Sequence, residues 1–336
     1  MGTESRERMM QSKDSHEFSM LAEAADEAGV KWDGEFMPRR VSHELPDGEG
    51  RKLSALMWGD ASPELVLFHG GAQNAHTWDT VAMALKRPLL AVDLPGHGHS
   101  DWREDHAYSP SELAEDVRSI VAELAPDAKA VAGMSLGGLT ALMLADINPQ
   151  LVRSLMLVDI TPGVNRVKAE PILEFISGPV YFESFADILA HTIEHNPTRS
   201  EASLRRGILN NAKELPDGRW TWRWDPTRVR DDDAGTASED TSNASAGEGS
   251  AGEGSASDGS DLEFFGSAWG AIDGITVPLL LCKGSESGVV GDEDIEELLR
   301  RHPEAEVVIV PGAGHSIQGD KPVELAALIE EFLSRN

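Results

Sequence analysis

Short apolar runs alternate with longer amphipathic or apolar segments along most of the chain. The short runs have the length and composition of strands that are buried on both faces of a sheet. The predicted core strands are Leu65–Phe68, Leu89–Val92, Ala128–Met134, Leu155–Val158, Val277–Cys282 and Val307–Val310. Before them, two further strands, Arg40–Leu45 and Lys52–Trp58, are predicted around the turn signal Pro46-Asp47-Gly48.

Helices are predicted between these strands. One begins at Ser109, where Ser-Pro-Ser-Glu offers an N-cap and a proline in the first turn, and another is the apolar, buried segment Leu136–Ile147. The remaining ones are Thr77–Leu85, Asp292–Arg301 and Pro322–Leu333. This alternation predicts an α/β fold with a mostly parallel central β-sheet flanked by helices on both faces.

The alternation breaks between Gly163 and Asp273, where no buried strand is indicated. The amphipathic segments there are Ile172–Ile176, Phe185–His195 and Ser203–Ala212. We interpret residues 163–273 as a helical cap inserted into an α/β core of residues 36–162 and 274–336. Its Trp220-Thr221-Trp222-Arg223-Trp224 run fits either an apolar roof over a pocket or a structural ribbon.

Two segments of low apolar content lie outside this core. Residues 231–261 hold nine acidic residues and no Lys or Arg, a composition that predicts a disordered acidic insert in the cap. Residues 1–35 are polar and charged, and we predict a flexible N-terminal extension in which Leu21–Ala28 is a candidate short helix. Neither a signal peptide nor an apolar run of ~20 residues is evident.

The charge and the cysteine content limit the partners and the cellular location that we expect for the protein. With 58 acidic and 29 basic residues, the net charge of −29 should repel nucleic acid and anionic lipid, so neither nucleic acid nor membrane is an expected partner. Salt would screen the repulsion among so many carboxylates, so the composition favours a source that lives at high salt. The one cysteine, Cys282, cannot form an internal disulfide, which fits a cytoplasmic location.

The segment Ala132-Gly133-Met134-Ser135-Leu136-Gly137-Gly138 joins a predicted strand directly to a predicted helix. Such a turn forces its central residue into a strained conformation, and small neighbours relieve the crowding. Ser135 would present its hydroxyl at the carboxyl edge of the sheet, beside the positive end of the helix dipole. A helix-capping serine among packing glycines is the alternative, but the strand–turn–helix context favours a nucleophile.

A serine hydroxyl needs a base to become a nucleophile at neutral pH. Among the 11 histidines, His315 follows the last predicted strand and therefore lies at the same sheet edge as the serine. His69, His97 and His99 also follow strand ends, and we interpret them as residues that shape the pocket. No cluster of Cys, His and carboxylates shows metal-ligand spacing, so we expect neither a metal nor a cofactor.

Four motifs resemble, in order and spacing, the successive signatures of the α/β-hydrolase fold superfamily. They are His69-Gly70-Gly71, Asp93-Leu94-Pro95-Gly96-His97-Gly98-His99-Ser100, Gly133-Met134-Ser135-Leu136-Gly137-Gly138 and Gly312-Ala313-Gly314-His315. The resemblance covers roughly residues 40–160 and 275–335. It implies that Ser135 is the nucleophile and His315 the base, with an oxyanion hole formed by the backbone N–H groups of Leu136 and Gly71.

The third catalytic residue departs from the family pattern. The family usually places an acid in the loop after the strand that contains the cysteine, but Ser287 and Gly288 occupy the aligned positions. Asp159, at the end of the preceding core strand, is a position that some members use, and an acid there could orient the base. We favour Asp159 over Glu286, and Asp292 is third.

The leading functional prediction is a serine esterase that cleaves a small-molecule carboxylic ester, lactone or thioester through an acyl-enzyme intermediate. Haloalkane dehalogenases and epoxide hydrolases resemble this fold but carry Asp where Ser135 stands. Carbon–carbon bond hydrolases and cofactor-free perhydrolases share the triad and are the alternatives within the enzyme class. A non-catalytic binding protein on the same fold is the second class, against which the presence of both Ser135 and His315 weighs.

Overall fold

A computed structural model describes residues 17–164, 166–196, 199–226 and 268–336. The strands, in chain order, are β1 (Pro38–Glu44), β2 (Lys52–Trp58), β3 (Leu65–Phe68), β4 (Leu89–Asp93), β5 (Ala130–Met134), β6 (Leu155–Val158), β7 (Tyr181–Phe182), β8 (Ala212–Glu214), β9 (Trp220–Trp222), β10 (Leu279–Gly284) and β11 (Glu306–Val310). The α-helices, in chain order, are α1 (Leu21–Glu27), α2 (Asp79–Leu85), α3 (Pro110–Leu124), α4 (Leu136–Ile147), α5 (Arg166–Ile176), α6 (Phe185–His195), α7 (Glu201–Asn211), α8 (Asp292–Arg301), α9 (Ile317–Asp320) and α10 (Pro322–Arg335). Residues 268–274 are also helical. Within these ranges, no helix has the length and apolar character that crossing a bilayer requires.

The central β-sheet has eight strands in the order β1-β2-β4-β3-β5-β6-β10-β11. Strand β2 runs antiparallel to both β1 and β4, and the other neighbours pair in parallel. Strands β3 to β6 are buried along their whole length, as expected where helices cover both faces of a sheet. The predicted α/β fold with a mostly parallel sheet is therefore confirmed.

Helices pack on both faces of this sheet. Apolar side chains of α3, α4, α8 and residues 268–274 are buried on one face, and those of α1, α2 and α10 on the other. Helix α3 begins as predicted, with a capping box between Ser109 and Glu112 and with Pro110 in its first turn. The loops at the carboxyl ends of the parallel strands carry the candidate catalytic residues.

The N-terminal segment packs against the core from Glu17 onwards. Leu21 and Ala25 of α1 are each 3 % exposed and lie in the same apolar cluster as α2 and α10. The Glu17 carboxylate accepts a hydrogen bond of 2.8 Å from Nε of Arg40 in β1. The predicted flexible extension over residues 1–35 is therefore too long, because a local pattern does not reveal these long-range contacts. Residues 1–16 lie outside the described part of the chain.

The insertion between β6 and β10 contains strands as well as helices. Besides helices α5 to α7, it holds a small antiparallel sheet with the order β7-β9-β8, so the predicted purely helical cap is incomplete. Trp222 and Trp224 are buried in the apolar cluster of this insertion, and their rings stack with centroids 6.1 Å apart. Trp220–Trp222 is the middle strand of this sheet, and Trp222 also lines a cavity of about 1030 Å³. The acidic residues 231–261 lie outside the described residues.

The insertion is anchored to loops of the core sheet. The side-chain amide of Asn211, at the end of α7, donates a hydrogen bond of 2.5 Å to the carbonyl of Ala72 after β3. The backbone N–H of Asp225 donates to the carbonyl of Gly96 after β4, at 2.8 Å. Ala72 also belongs to the apolar cluster of the insertion. The insertion therefore borders the loops at the carboxyl edge of the sheet.

Candidate active site

Ser135 occupies a strained turn between β5 and α4. Its φ of 51° and ψ of −121° lie outside the conformations that residues with a side chain ordinarily adopt. The turn is tight because a Cβ at Gly133 would lie 2.1 Å from the carbonyl oxygen of Gly137, and a Cβ at Gly137 would lie 2.5 Å from that of Phe68. Glycines at these two places let α4 approach the sheet, which fixes Ser135 at the sheet edge.

Asp159 lies at the end of the strand next to Ser135. Met134 of β5 pairs with Val158 of β6, so the residues that follow them leave the sheet at the same level. The backbone N–H of Ser135 donates to the carbonyl of Val158 at 3.2 Å. The structure thus brings Ser135 and Asp159 to neighbouring positions at the carboxyl edge of the sheet.

His315 contacts Asp159 through a hydrogen bond of 2.8 Å between Nδ1 and Oδ2. Because a carboxylate only accepts, Nδ1 carries the proton and Nε2 is left with a free lone pair. Nε2 is buried and has no hydrogen-bond partner among the described residues. An imidazole held in this tautomer is equipped to take a proton from a nucleophile.

The Asp159 carboxylate is fully buried and is held by two further donors. Oδ1 accepts a hydrogen bond of 2.8 Å from the backbone N–H of Gly284, and Oδ2 accepts one from the hydroxyl of Ser287. Ser287 is one of the two positions that align with the usual acid of the family, and here its hydroxyl bonds to the candidate acid that follows β6. The sequence showed that no acid stands at this position, but it did not reveal the hydrogen bond that the serine makes.

The other candidate acids do not contact His315. Glu286 is exposed, and its carboxylate accepts a hydrogen bond of 3.0 Å from the hydroxyl of the neighbouring Ser285. Asp292 is exposed in the first turn of α8, where an acidic residue suits the helix dipole. Asp159 is therefore the candidate acid that the structure brings to His315.

The predicted oxyanion-hole donors lie on both sides of Ser135. The loop that contains Gly71 passes close to it, since a Cβ at Gly70 would lie 3.4 Å from the Cβ of Ser135. In this part of the chain the N–H of Gly71 finds no acceptor among the described residues, whereas the N–H of Ala72 donates to Nε2 of His97 at 3.2 Å. Leu136 begins α4, where N–H groups lack an intrahelical acceptor.

His69 and His97 are buried, and the ring nitrogens of both are engaged by the backbone. In His69, Nδ1 lies 2.8 Å from the Gly70 carbonyl and Nε2 accepts from the N–H of Leu94 at 2.9 Å. In His97, Nδ1 lies 3.0 Å from the Pro95 carbonyl, and Nε2 accepts the bond described above. These two rings hold the loops after β3 and β4 together. The partly exposed His99 lies 4.0 Å from the Glu17 carboxylate.

Gln73 is a contact residue that the sequence did not reveal. Its Oε1 accepts from the N–H of Gly70 at 3.2 Å, and its Nε2 donates to the hydroxyl of Ser316 at 3.4 Å. It therefore joins the predicted oxyanion loop to the loop of His315. Gln73 also lines an adjoining cavity of about 1030 Å³, whose described lining does not include Ser135 or His315.

A second group of polar side chains was missed by the sequence analysis, which expected no metal-ligand cluster. His191, Glu194 and His195 of α6 offer ligand atoms that all lie within 4.8 Å of one another. The signal that could have found them is the spacing of three and four residues on a predicted helix, which places all three on one face.

Residues 65–328 match the model of the alpha/beta hydrolase family. The match extends over more than half of the chain and contains the candidate residues described above. The chain belongs to this family, and the predicted superfamily is confirmed.

Individual relatives cover nearly the whole chain. A curated esterase, Rv0045c from Mycobacterium tuberculosis, is 40 % identical over 94 % of this chain and 95 % of its own length. A solved structure of that esterase has a TM-score of 0.75, is 39 % identical, and covers 95 % of this chain and 98 % of the other. A 3-hydroxybutyrate-oligomer hydrolase from Cupriavidus necator is 28 % identical over 82 % of this chain and 90 % of its own. These likenesses support the predicted hydrolase of ester bonds.

Proposed function

We propose that the protein is a serine esterase in which Ser135, His315 and Asp159 form the catalytic triad. The observation that carries this proposal is the hydrogen bond of 2.8 Å between His315 and the buried Asp159, next to a serine in a strained strand-to-helix turn. The 40 % identity to a protein named an esterase supports ester bonds as the bonds cleaved.

In this mechanism Oγ of Ser135 attacks the ester carbonyl while Nε2 of His315 takes the hydroxyl proton. The Asp159 carboxylate keeps the proton of the imidazole on Nδ1 and stabilises the imidazolium that forms. His315 then gives its proton to the leaving alcohol, and the acyl group remains on Ser135. A water molecule that His315 deprotonates attacks the acyl-enzyme, and the acid is released.

The negative charge that develops on the carbonyl oxygen would be stabilised by the N–H groups of Gly71 and Leu136. Backbone donors are fixed before the reaction, so they stabilise the tetrahedral intermediate without a cost of reorganisation. The positive end of α4 points the same way. Loss of one such donor typically lowers the rate by about 10²–10³-fold.

We further propose that the insertion acts as a cap that selects the substrate. The support for this role is the contact of Asn211 with Ala72, the residue that follows the proposed oxyanion donor Gly71. A small-molecule ester, lactone or thioester is the proposed substrate.

We propose a cytoplasmic location and no nucleic-acid or membrane partner, on the basis of the single cysteine and the net charge of −29.

A fluorophosphonate probe, which labels activated serines, tests the proposed nucleophile. We expect the native protein to be labelled and Ser135→Ala to remain unlabelled. Ser177→Ala is the matched control, because Ser177 is an exposed serine in the insertion whose hydroxyl bonds to carbonyls of the preceding helix α5. Equal labelling of native protein and Ser135→Ala, or no labelling of the native protein, would refute the proposal.

Activity assays then separate the enzyme classes that share this triad. Nitrophenyl esters of rising chain length, lactones and thioesters should be hydrolysed, and each activity should be lost in Ser135→Ala. A probe-reactive protein that cleaves none of these compounds would instead fit a carbon–carbon bond hydrolase or a perhydrolase.

A further inference from the structure

Helix α6 presents three metal-ligating side chains on one face, outside the proposed catalytic triad. They are His191, Glu194 and His195, and one ligand atom from each lies within 4.8 Å of the other two. Residues spaced by three and four positions are neighbours on a helix surface, so the helix itself sets the geometry. Two imidazoles and one carboxylate form a ligand set that zinc sites use in proteins.

The imidazole of His195 is held in the tautomer that metal ligation needs. Its Nδ1 lies 2.9 Å from the backbone carbonyl of His191. Because a carbonyl oxygen only accepts, Nδ1 must carry the proton, and the lone pair of Nε2 is free. Ligating histidines in proteins commonly have their second nitrogen bonded to a carbonyl or carboxylate in this way, which fixes the ring and raises its basicity.

The imidazole of His191 is positioned by aromatic rings. It stacks on Phe175 with centroids 5.4 Å apart and an angle of 14° between planes, and it lies 4.5 Å from the ring of His195. Its Nε2 is buried and has no hydrogen-bond partner among the described residues.

We propose that His191, Glu194 and His195 bind a divalent transition-metal ion, with Zn²⁺ and Ni²⁺ as the representative ions. Nitrogen ligands favour these ions over Mg²⁺ and Ca²⁺, which prefer oxygen. Three protein ligands leave one position of a tetrahedral ion for water. Ligands about 2.1 Å from such an ion are about 3.4 Å apart, so the three ligand atoms, which lie within 4.8 Å of one another, would move closer as the ion binds, and the Glu194 side chain is exposed.

The ion would cross-link the last turn of α6, which forms part of a cavity wall. Thr192 and Asn196, on the same turn, line the cavity of about 1030 Å³ that adjoins the proposed active site. The net charge of −29 raises the local concentration of cations around the whole molecule.

Calorimetric titration of the full-length protein with NiCl₂ or ZnCl₂ tests this site. The titration is done in a His315→Ala background, so that the proposed catalytic histidine does not compete for the ion. We expect one ion per chain and no comparable binding of MgCl₂. Loss of a residue that only hydrogen-bonds to a metal ligand typically weakens binding by about 10–100-fold. The double variant His191→Gln/His195→Gln removes two ligands and should weaken binding by more than that.

Two further variants distinguish a loss of metal binding from a loss of folding. Glu194→Gln changes an exposed side chain and should weaken binding at least ~10-fold without changing the circular dichroism spectrum. His302→Gln is the matched control, because His302 is a half-buried histidine at the end of α8, and binding should be unchanged.

Electron paramagnetic resonance of bound Cu²⁺ provides a second readout. It should show coupling to two nitrogens in the parent protein and lose that coupling in the double variant. Unchanged affinity in both the double variant and Glu194→Gln would overturn the site, as would the absence of saturable binding by the parent protein.

Discussion

The proposed triad is tested most directly by comparing a substitution of Asp159 with a substitution of Glu286. Asp159→Asn keeps the size of the side chain but turns one oxygen into an N–H donor, so the proton of His315 is no longer held on Nδ1. We expect kcat for a nitrophenyl ester to fall by on the order of 10⁴-fold. Glu286→Gln, at an exposed position, should change kcat by no more than about 2–3-fold. Small and equal effects of the two changes would show that Asp159 is not the acid.

Ser287 is a positioning residue, because it acts on His315 only through Asp159. A hydrogen bond to a charged group contributes about 1.5–3 kcal/mol, so Ser287→Ala should lower kcat by roughly 10-fold or more while KM changes little. The matched control is Ser285→Ala, which removes a neighbouring hydroxyl that bonds to Glu286 and to the N–H of Gly312. A larger effect of Ser285→Ala than of Ser287→Ala would contradict this role.

The candidate site was predictable from the sequence where its signals are local. Ser135 stands in a glycine-rich segment between a strand and a helix, and His315 follows a strand, so both positions follow from neighbours in the chain. The contact of Asp159 with His315 depends on the strand order, which the sequence analysis took from a family resemblance. The hydrogen bond between Ser287 and Asp159 joins residues 128 positions apart, and no local pattern encodes it.

The segment that precedes α1 is joined to the core through Glu17, in a charge network that should make stability depend on pH. Burial alone would lower the pKa of His76, but the carboxylates of Asp79 and Glu17, 2.7 Å and 3.1 Å from its ring nitrogens, outweigh burial and raise the pKa to about 9. A histidine whose pKa is raised by folding stabilises the folded state fully below its unfolded value of about 6.5. That stability is lost as the pH rises through about 9.

We therefore expect the urea midpoint of the protein to fall as the pH is raised from about 7 to about 10, with the fall steepest below the folded pKa of about 9 and levelling off above it. In His76→Gln the midpoint should be lower at pH 7 and should change less over this range. His302→Gln, which removes a histidine outside the network, should retain the pH dependence of the native protein. The network has no such role if native protein and His76→Gln show the same pH dependence.

Helices and strands were predicted well where a long run of buried apolar residues marks them in the sequence, and poorly where the run is short. Helix α4 and strands β3 and β6 match the predicted bounds, because their apolar runs are buried along their length. Strands β7 to β9 have two or three residues each, too few for an alternating pattern to be recognised. Helix α1 buries only Leu21 and Ala25, and its contacts with the core are long-range.

At the scale of the whole molecule, the net charge of −29 should make the protein more stable in salt. Repulsion among like charges destabilises a compact chain, and raising KCl from about 0.1 M to about 1 M shortens the Debye length from about 10 Å to about 3 Å. Screening should therefore raise the thermal midpoint, and activity on a nitrophenyl ester should be retained or should rise over the same range.

The control must separate screening from the general exclusion of solutes from protein surfaces. Sucrose stabilises by exclusion without screening charge, so it should raise the thermal midpoint less than KCl at equal osmolality. The two solutes should differ most at low concentration, where the Debye length changes fastest. If sucrose and KCl stabilise equally, or if activity falls steadily with KCl, the acidic surface is not an adaptation to high salt. The excess of carboxylates would then contribute to solubility alone.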